Sequence, residues 1–239
     1  GTWEMMGTGI KMVLANGLGG LSFAGADVGG FFGNPEPEML TRWYQVGAFA
    51  PFFRAHAHLD TKRREPYLLA SPYKDIVYGV LRLRYTMMPI WYTQFRETSV
   101  LVFPSSGKLP IHCPPPASHV LFQPQYIVHP QDKAGFTLDD QYYIGSSGLL
   151  VKPVTVKGAT ETTVYFSDDQ IYYDYFTGQT YRAPRKNVTV PAALDKIPLF
   201  IQGGSILSTR ERLRRSSAGM KYDPFTRRVA VNKDDAARG

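Results

Sequence analysis

A short apolar segment that runs into a glycine-rich loop decides how the first part of the chain folds. It reads Leu21-Ser22-Phe23-Ala24-Gly25-Ala26-Asp27-Val28-Gly29-Gly30. The run 21–24 predicts a short buried strand, and the glycines predict a tight loop that can approach a ligand. Apolar residues recur at helical spacing on both sides, over 3–18 and about 34–50. Helix and strand in alternation are typical of a parallel α/β layout.

Proline and capping signals bound the next elements. Asn34-Pro35 predicts a helix start, with Asn as the cap and Pro at the first helical position, and Pro51 predicts its end. Phe52-Phe53 predicts a second short strand. A long helix is expected from about Asp75 to Thr98, with a kink at Pro89.

The second half of the chain has a different pattern, with short β-branched or aromatic runs between turns. These runs are Leu149–Val151, Thr162–Phe166, Ile171–Tyr175 and Val188–Val190. Such runs predict an antiparallel β-sandwich. The segment Ser99–Phe122, which lies between the two halves, is rich in Pro and Ser and is expected to be an irregular insert.

Composition excludes some classes of function. The 239 residues carry a net charge of +7, but the basic clusters, such as Arg210–Arg215, lie in no nucleic-acid-binding motif. The single cysteine, Cys113, excludes an internal disulfide, and no apolar run is long enough to span a membrane.

Asn187-Val188-Thr189 is a glycosylation sequon if the chain enters the secretory route. We expect Lys62-Arg63-Arg64-Glu65 to be a solvated loop with surface ion pairs.

Asp27 is the first candidate for a functional role. It follows the predicted strand, and barrel folds place their active-site carboxylates at the C-terminal ends of strands. The alternative is an aspartate that makes only a local turn hydrogen bond. The spacing alone does not choose between them.

His56, His58 and Asp60 alternate, so an extended strand would place all three on one face. They are consistent with a metal site, with recognition of a polar substrate, or with hydrogen-bonded structural histidines. Other candidate metal ligands lie in or near the insert, which disfavours the metal site. They are His112, Cys113, His119 and His129.

The segment 23–38 resembles a hallmark of glycoside hydrolase family 31. The resemblance extends over most of the chain outside the insert. It includes Arg42–Gln45, 51–67, 124–126, 130–132, 139–142, 197–198, 214–217 and 223–224. Within the family, the sequence of these segments is most similar to the glucosidase II branch, whose catalytic α subunits trim glucose from N-glycans in the endoplasmic reticulum.

The resemblance implies an α/β part followed by an all-β part. The first would be the C-terminal part of a (β/α)8 TIM barrel at 1–98, followed by the irregular insert at 99–122. A proximal antiparallel β-sandwich would occupy 123–207, and 208–239 would begin a truncated distal β domain.

The implied activity is that of a retaining exo-α-glucosidase, which uses two carboxylates and no metal or organic cofactor. In this family both carboxylates are Asp, in Trp-x-Asp-Met-Asn-Glu and Gly-Asp-Asn motifs. Neither motif occurs in this sequence. We therefore expect the catalytic pair to lie upstream of Gly1 and the isolated chain to be inactive.

The residues that match are pocket residues. Asp27 is expected to line the pocket for the terminal glucose, and His56 to hydrogen-bond its hydroxyls. Phe31 corresponds to an aromatic wall near the mouth, and Arg54 to a charged supporting residue. The implied partners are an α-glucoside or glucosylated N-glycan and a β-type regulatory subunit, and the implied location is the endoplasmic reticulum lumen.

Three departures leave other interpretations open. First, the catalytic motifs are missing. Second, Ser99–Phe122 interrupts the family pattern, and Gln123 follows it where the family has Arg. Third, the chain ends before the acidic segment that the family carries in its last domain. The insert is typical of a retained intron or a gene-model error. The alternatives are another specificity within the family, such as a maltase or α-xylosidase, a non-catalytic glycan-binding product, and a metal-dependent barrel hydrolase that uses His56 and His58.

Overall fold

The computed structural model describes residues 1–101, 120–234 and 237. Most of the predicted insert, including Cys113, His112 and His119, lies outside these residues. The first part of the chain contains four longer helices and the second part contains the strands. The helices are α1 (Trp3–Leu18), α2 (Pro37–Gly47), α3 (Tyr73–Thr86) and α4 (Met88–Leu101).

Helix α1 has the predicted bounds because its own residues set them. The Thr2 hydroxyl accepts a hydrogen bond from the Met5 amide (3.1 Å) at the start of the helix. Met6, Ile10 and Val13 are among the residues that form its buried face.

Helix α2 begins later than predicted. Pro37, not Pro35, takes the first helical position, and the cap is Glu36, with extended backbone angles. Asn34 does not cap because its side-chain oxygen accepts the Lys62 amide instead (2.8 Å). That bond joins the start of α2 to the loop after His58.

The predicted kink at Pro89 is a break between two helices. Met87 ends α3 with non-helical angles (φ −86°, ψ 4°), and Met88 begins α4. Proline lacks the N–H that would bond to the preceding turn, so a continuous helix would lose a hydrogen bond at this position.

The predicted strands at 21–24 and 52–53 do not form. Instead, the stretches 24–28 and 52–54 lie side by side and run in the same direction, joined by Phe52 N to Ala24 O (3.0 Å) and Val28 N to Arg54 O (2.9 Å). A buried parallel strand is normally bonded along both edges. Each segment is bonded here mainly to the other, so neither reaches regular strand geometry.

The described part of the second half forms three antiparallel sheets and a one-turn helix, α5 (Gln125–Val128). The strands are β1 (Phe122–Pro124), β2 (Tyr142–Ile144), β3 (Leu149–Val151), β4 (Glu161–Phe166), β5 (Tyr172–Asp174), β6 (Thr180–Tyr181), β7 (Lys186–Pro191), β8 (Leu199–Gln202), β9 (Ser205–Thr209) and β10 (Thr226–Ala230). The six-stranded sheet has the order β1-β2-β3-β8-β5-β6, and β4 pairs with β7 and β9 with β10. The sequence predicted β3, β4, β5 and β7.

The six-stranded sheet lies between two hydrophobic cores. Successive residues of β3 show this, since Leu149 and Val151 join the core shared with the helices, whereas Leu150 joins the core under the β4–β7 ribbon. The sheet therefore connects the helical part to the ribbon. Within the described residues, no helix is both long and apolar enough to cross a membrane.

Candidate functional site

The four predicted site residues lie on two neighbouring segments, 27–31 and 54–58. Two backbone hydrogen bonds join these segments, Val28 N to Arg54 O and His58 N to Phe31 O, both 2.9 Å. The fold therefore brings Asp27, Phe31, Arg54 and His56 into one region from positions up to 29 residues apart.

Asp27 uses its side chain for contact with the other segment. Arg54 donates to Asp27 Oδ1 from Nη2 (2.7 Å) and from Nε (3.1 Å). The local turn is closed by the backbone instead, through Gly30 N to Asp27 O (2.8 Å). Oδ2 has no donor among the described residues, and the Asp27 side chain is 20% exposed. A carboxylate oxygen with free lone pairs can accept a ligand hydroxyl.

Glycines allow the two segments to lie this close together. A Cβ on Gly25 would lie 1.9 Å from the Phe52 carbonyl oxygen, so only glycine allows the two segments to pack so closely. Gly29 has φ +89°, in the left-handed region that L side chains rarely adopt. The sequence signal for a tight loop thus reflects both close packing and backbone conformation.

Aromatic rings and imidazoles from the same two segments pack against each other. The ring centroid of Phe31 lies 5.5 Å from that of His56 and 5.8 Å from that of His58, and Phe32 contacts His58 at 5.2 Å. His56 is exposed, and its ring nitrogens have no partner among the described residues. The imidazole is therefore free to hydrogen-bond a ligand while one ring face lies near Phe31.

The alternation predicted that, in an extended strand, Asp60 would share one face with His56 and His58. The structure does not have this arrangement. The chain turns after His58, where Thr61 N bonds to His58 O (3.1 Å), and this turn carries Asp60 out of the extended segment. Asp60 instead pairs with His58 Nδ1 at 3.3 Å and is largely exposed. In the described part of the chain, no group of three or more His, Cys, Asp or Glu side chains is placed to hold a metal ion.

Arg64 is a site residue that the sequence reasoning missed. Its Nη1 donates to Gly29 O (2.9 Å), and its Nη2 donates to His56 O (2.9 Å) and to Gly30 O. Burial lowers the pKa of the Arg64 guanidinium from its ordinary value, an effect that Tyr44 and Asp27 partly offset. The prediction of a solvated loop is right for Arg63, whose exposed side chain pairs with Glu65 at 2.9 Å, and wrong for Arg64.

A second arginine, Arg84, supports the start of the 51–58 segment from α3. Its Nη1 donates to the carbonyls of Ala48 and Ala50 (both 2.8 Å), and its Nη2 to that of Pro51 (3.1 Å). The guanidinium also lies 4.0 Å from the Trp91 ring centroid. Burial lowers the pKa of Arg84 to about 10. The turn between α2 and the site is therefore held by side-chain donors.

Two family profiles match the chain in succession. Residues 1–94 match the glycosyl hydrolases family 31 TIM-barrel domain, and residues 118–207 match the glycosyl hydrolase family 31 C-terminal domain. The chain belongs to glycoside hydrolase family 31. This confirms the resemblance drawn from the segment 23–38.

Individual relatives and structures agree with the family assignment. Glucosidase 2 subunit alpha of Schizosaccharomyces pombe is 46% identical over 232 residues, which are 97% of this chain and 23% of that protein. A crystal structure of a glucosidase II alpha subunit in a Glc1Man2-bound form has a TM-score of 0.90 and 46% identity, over 99% of this chain and 24% of that one. A further structure is that of an ER glucosidase II heterodimeric complex, which contains the catalytic subunit and the binding domain of the regulatory subunit. It has a TM-score of 0.88 and 46% identity, and the match covers 97% of this chain and 23% of that one. The family 31 chain described here thus spans about a quarter of the length of the proteins it matches.

Proposed function

We propose that this family 31 chain forms part of the glucose pocket of a retaining α-glucosidase. In this proposal Asp27 Oδ2 accepts a hydroxyl of the terminal glucose, and Arg54 holds the carboxylate in place. His56 hydrogen-bonds a second hydroxyl through its free ring nitrogens, and Phe31 forms an aromatic wall beside it. The observation that carries the proposal is the Asp27 carboxylate, which is fixed through one oxygen and left open at the other.

These contacts act on the reaction by positioning the sugar. A retaining glycosidase passes through a transition state in which the ring flattens and gains positive charge, and hydrogen bonds to the hydroxyls strengthen along the way. The nucleophile and the acid/base are the two aspartates of the family motifs, neither of which is among these residues. This chain therefore binds and orients the glucose, while carboxylates elsewhere break the glycosidic bond.

The proposed substrate is terminal α-linked glucose on an N-glycan. Support comes from the relatives, since a similar structure is bound to Glc1Man2 and another is described as an ER glucosidase II complex. By the same reasoning we place the protein in the endoplasmic reticulum lumen, with a β-type regulatory subunit as partner.

The domain organisation belongs to the same proposal. Residues 1–98 form the C-terminal part of a (β/α)8 barrel. Of the segment 99–122, which was expected to be an irregular insert, 99–101 continue α4 and Phe122 begins β1, while 102–119 lie outside the described residues. Residues 123–207 form the proximal β-sandwich, and 208–239 begin a distal β domain. The core between the six-stranded sheet and the β4–β7 ribbon supports a sandwich, because both layers contribute its residues, among them Leu150, Phe200 and Val164.

Steady-state kinetics of the complete protein that carries these residues would test the function. The wild type is expected to hydrolyse p-nitrophenyl α-glucoside but not the β anomer. Asp27→Asn and His56→Ala should each lower kcat/KM by about 100-fold, since the first replaces a charged acceptor by a neutral amide and the second removes the imidazole that bonds to the sugar. Asp60→Asn is the matched control, because Asp60 is exposed and pairs with His58, to which no sugar contact is assigned, and it should behave as the wild type. Glycan binding without hydrolysis by the wild type would overturn the proposal in favour of a non-catalytic glycan-binding protein.

A further inference from the structure

We propose that Arg64 is a positioning residue that sets the spacing between the two segments of the sugar pocket, 27–31 and 54–58. This inference rests on the proposed function, because it assigns a role within the same site. One guanidinium bonds to the carbonyls of Gly29, Gly30 and His56, so it contacts both pocket segments at once. Gly29 and Gly30 lie between Asp27 and Phe31, and His56 is itself a proposed sugar contact.

The geometry explains why an arginine occupies the position. A guanidinium presents several N–H donors in a rigid plane, so it can bond to carbonyls on two segments without changing shape. A lysine ammonium carries its three N–H donors on one nitrogen, so it cannot reach the same set of carbonyls with the same directions. The Gly29 loop also leaves no spare room, since a Cβ there would lie 3.0 Å from Arg64 Nη1 and 2.9 Å from a methyl group of Leu40.

Among the described residues, Arg64 hydrogen-bonds to the pocket through backbone oxygens only, and no sugar contact is assigned to it. Its removal should therefore let the two segments move relative to each other and weaken every proposed sugar contact at once. A displacement of about 1 Å at a reacting group can cost about 100-fold in rate. The neighbouring Arg63 makes no such contacts; its side chain is 72% exposed and bonds to Glu65 and Tyr67.

The test compares Arg64→Lys with Arg63→Lys in the complete protein, so that each variant keeps its charge. We expect Arg64→Lys to lower kcat/KM for p-nitrophenyl α-glucoside by about 10- to 100-fold with a raised KM, and Arg63→Lys to match the wild type. Amide hydrogen exchange should become faster over 27–31 and 56–58 in Arg64→Lys alone. Wild-type kinetics and exchange in Arg64→Lys, or the same exchange increase in Arg63→Lys, would overturn the inference.

The two measurements separate this inference from the proposed function. If the wild type does not act on the α-glucoside, the proposed function is wrong, yet faster exchange over both segments in Arg64→Lys alone still supports the positioning role. If the wild type is active and Arg64→Lys is equally active, only the positioning role is wrong. A loss of activity that follows the loss of folded protein in thermal unfolding also counts against it.

An independent observation concerns the sequon Asn187-Val188-Thr189, and from it we infer that Asn187 carries an N-linked glycan. The sequon lies on β7, where Asn187 and Thr189 are exposed and the intervening Val188 packs against the core under the ribbon. Strand alternation thus turns both recognition residues to solvent. The Asn187 side chain has no hydrogen-bond partner among the described residues, so its amide is accessible.

The modification is a glycosyl transfer from a lipid-linked oligosaccharide diphosphate. The Asn187 side-chain nitrogen forms a bond to C1 of the sugar and loses one proton, while the bond from C1 to the lipid diphosphate breaks. This inference rests on the proposed lumenal location, since that compartment holds the donor. The glycan would stand on the outer face of β7, where Asn187 pairs with Tyr165 across the ribbon and Thr163 and Thr189 form the next pair along the same face.

Peptide mass spectrometry would test it. The complete protein, expressed with a secretion signal in a eukaryotic cell, is treated with peptide N-glycosidase in ¹⁸O water, which converts a glycosylated Asn187 to ¹⁸O-labelled Asp. Labelling is expected in the wild type and in Thr189→Ser, and none in Thr189→Val. An unlabelled Asn187 in the wild type would overturn the inference, and fractionation of native cells tests the proposed location separately.

Discussion

The Arg42 guanidinium of helix α2 donates a hydrogen bond to the carbonyl oxygen of Ala192 (2.5 Å), which lies just after strand β7. Arg42 is 1% exposed, and it also bonds to the carbonyls of Ala159 (3.1 Å) and Lys196 (3.0 Å). One side chain therefore connects the helical part to two loops of the β part. Burial lowers its pKa from the ordinary value.

Replacement of Arg42 by methionine should destabilise the fold strongly. The variant keeps an apolar stem but leaves three loop carbonyls without their donor, and each unsatisfied buried group costs about 1–3 kcal/mol. We expect the free energy of unfolding in urea to fall by about 3 kcal/mol or more. Arg82→Met is the control, because Arg82 is exposed on α3, and it should stay within about 0.5 kcal/mol of the wild type. Equal effects in both variants would contradict the connecting role of Arg42.

Local signals predicted some elements well. Helix α1 has its predicted bounds because Thr2 and the residues of α1 itself provide the cap and the apolar face. A kink was predicted at Pro89 because the missing N–H is a property of that one residue, and the structure instead has a break between α3 and α4 at Met87, two residues before it. Strand β8, by contrast, gave no alternating pattern, because Leu199, Phe200 and Ile201 are all buried between two cores.

For the candidate site, too, the sequence displayed local signals but not contacts between distant residues. Asp27 became a candidate because it follows a predicted strand in a glycine-flanked loop, and His56 because it alternates with His58 and Asp60. The family resemblance then gave both their expected roles in the pocket. Arg64 was missed because its partners are backbone carbonyls of residues 29, 30 and 56, which no sequence pattern displays. The one available signal was that Arg64 lies in the same family-like stretch, 51–67, as His56.

Two glycine substitutions should have opposite effects. In Gly25→Ala the new Cβ would meet the Phe52 carbonyl oxygen at 1.9 Å, so the two site segments must separate. We expect a loss of about 1–3 kcal/mol in the free energy of unfolding. Gly79→Ala adds a methyl group on the exposed face of α3 with nothing within 4 Å and should stabilise the protein by about 0.5–1 kcal/mol. Urea titration measures both, and a neutral Gly25→Ala would show that the segments are not closely packed.

Stability should fall in mild acid because of His129. Burial lowers the pKa of His129 below its ordinary 6.5, and Asp168 and Asp132 only partly oppose this. The unfolded chain therefore takes up a proton at a higher pH than the folded chain does. The contribution of His129 is fully present above pH 6.5 and is lost as pH falls towards the folded pKa. Urea midpoints at pH 7.5, 6.5 and 5.5 should decrease in that order.

His129→Gln isolates this contribution. Glutamine cannot titrate in this range but can still bond to the Tyr143 hydroxyl, which lies 3.2 Å from His129 Nε2. The variant should lose less stability between pH 7.5 and 5.5 than the wild type does. If His129→Gln keeps the wild-type slope, another group causes the acid sensitivity.

Arg54 should affect catalysis through Asp27. Both of its donors bond to Asp27 Oδ1, so Arg54→Leu would leave the carboxylate free to rotate and unpaired in charge. We expect kcat/KM for an α-glucoside to fall roughly tenfold in the complete protein, about 1.4 kcal/mol of transition-state stabilisation. Arg63→Leu, at an exposed position, should keep the wild-type value. A normal kcat/KM in Arg54→Leu would mean that Asp27 is held in place by its own loop rather than by Arg54.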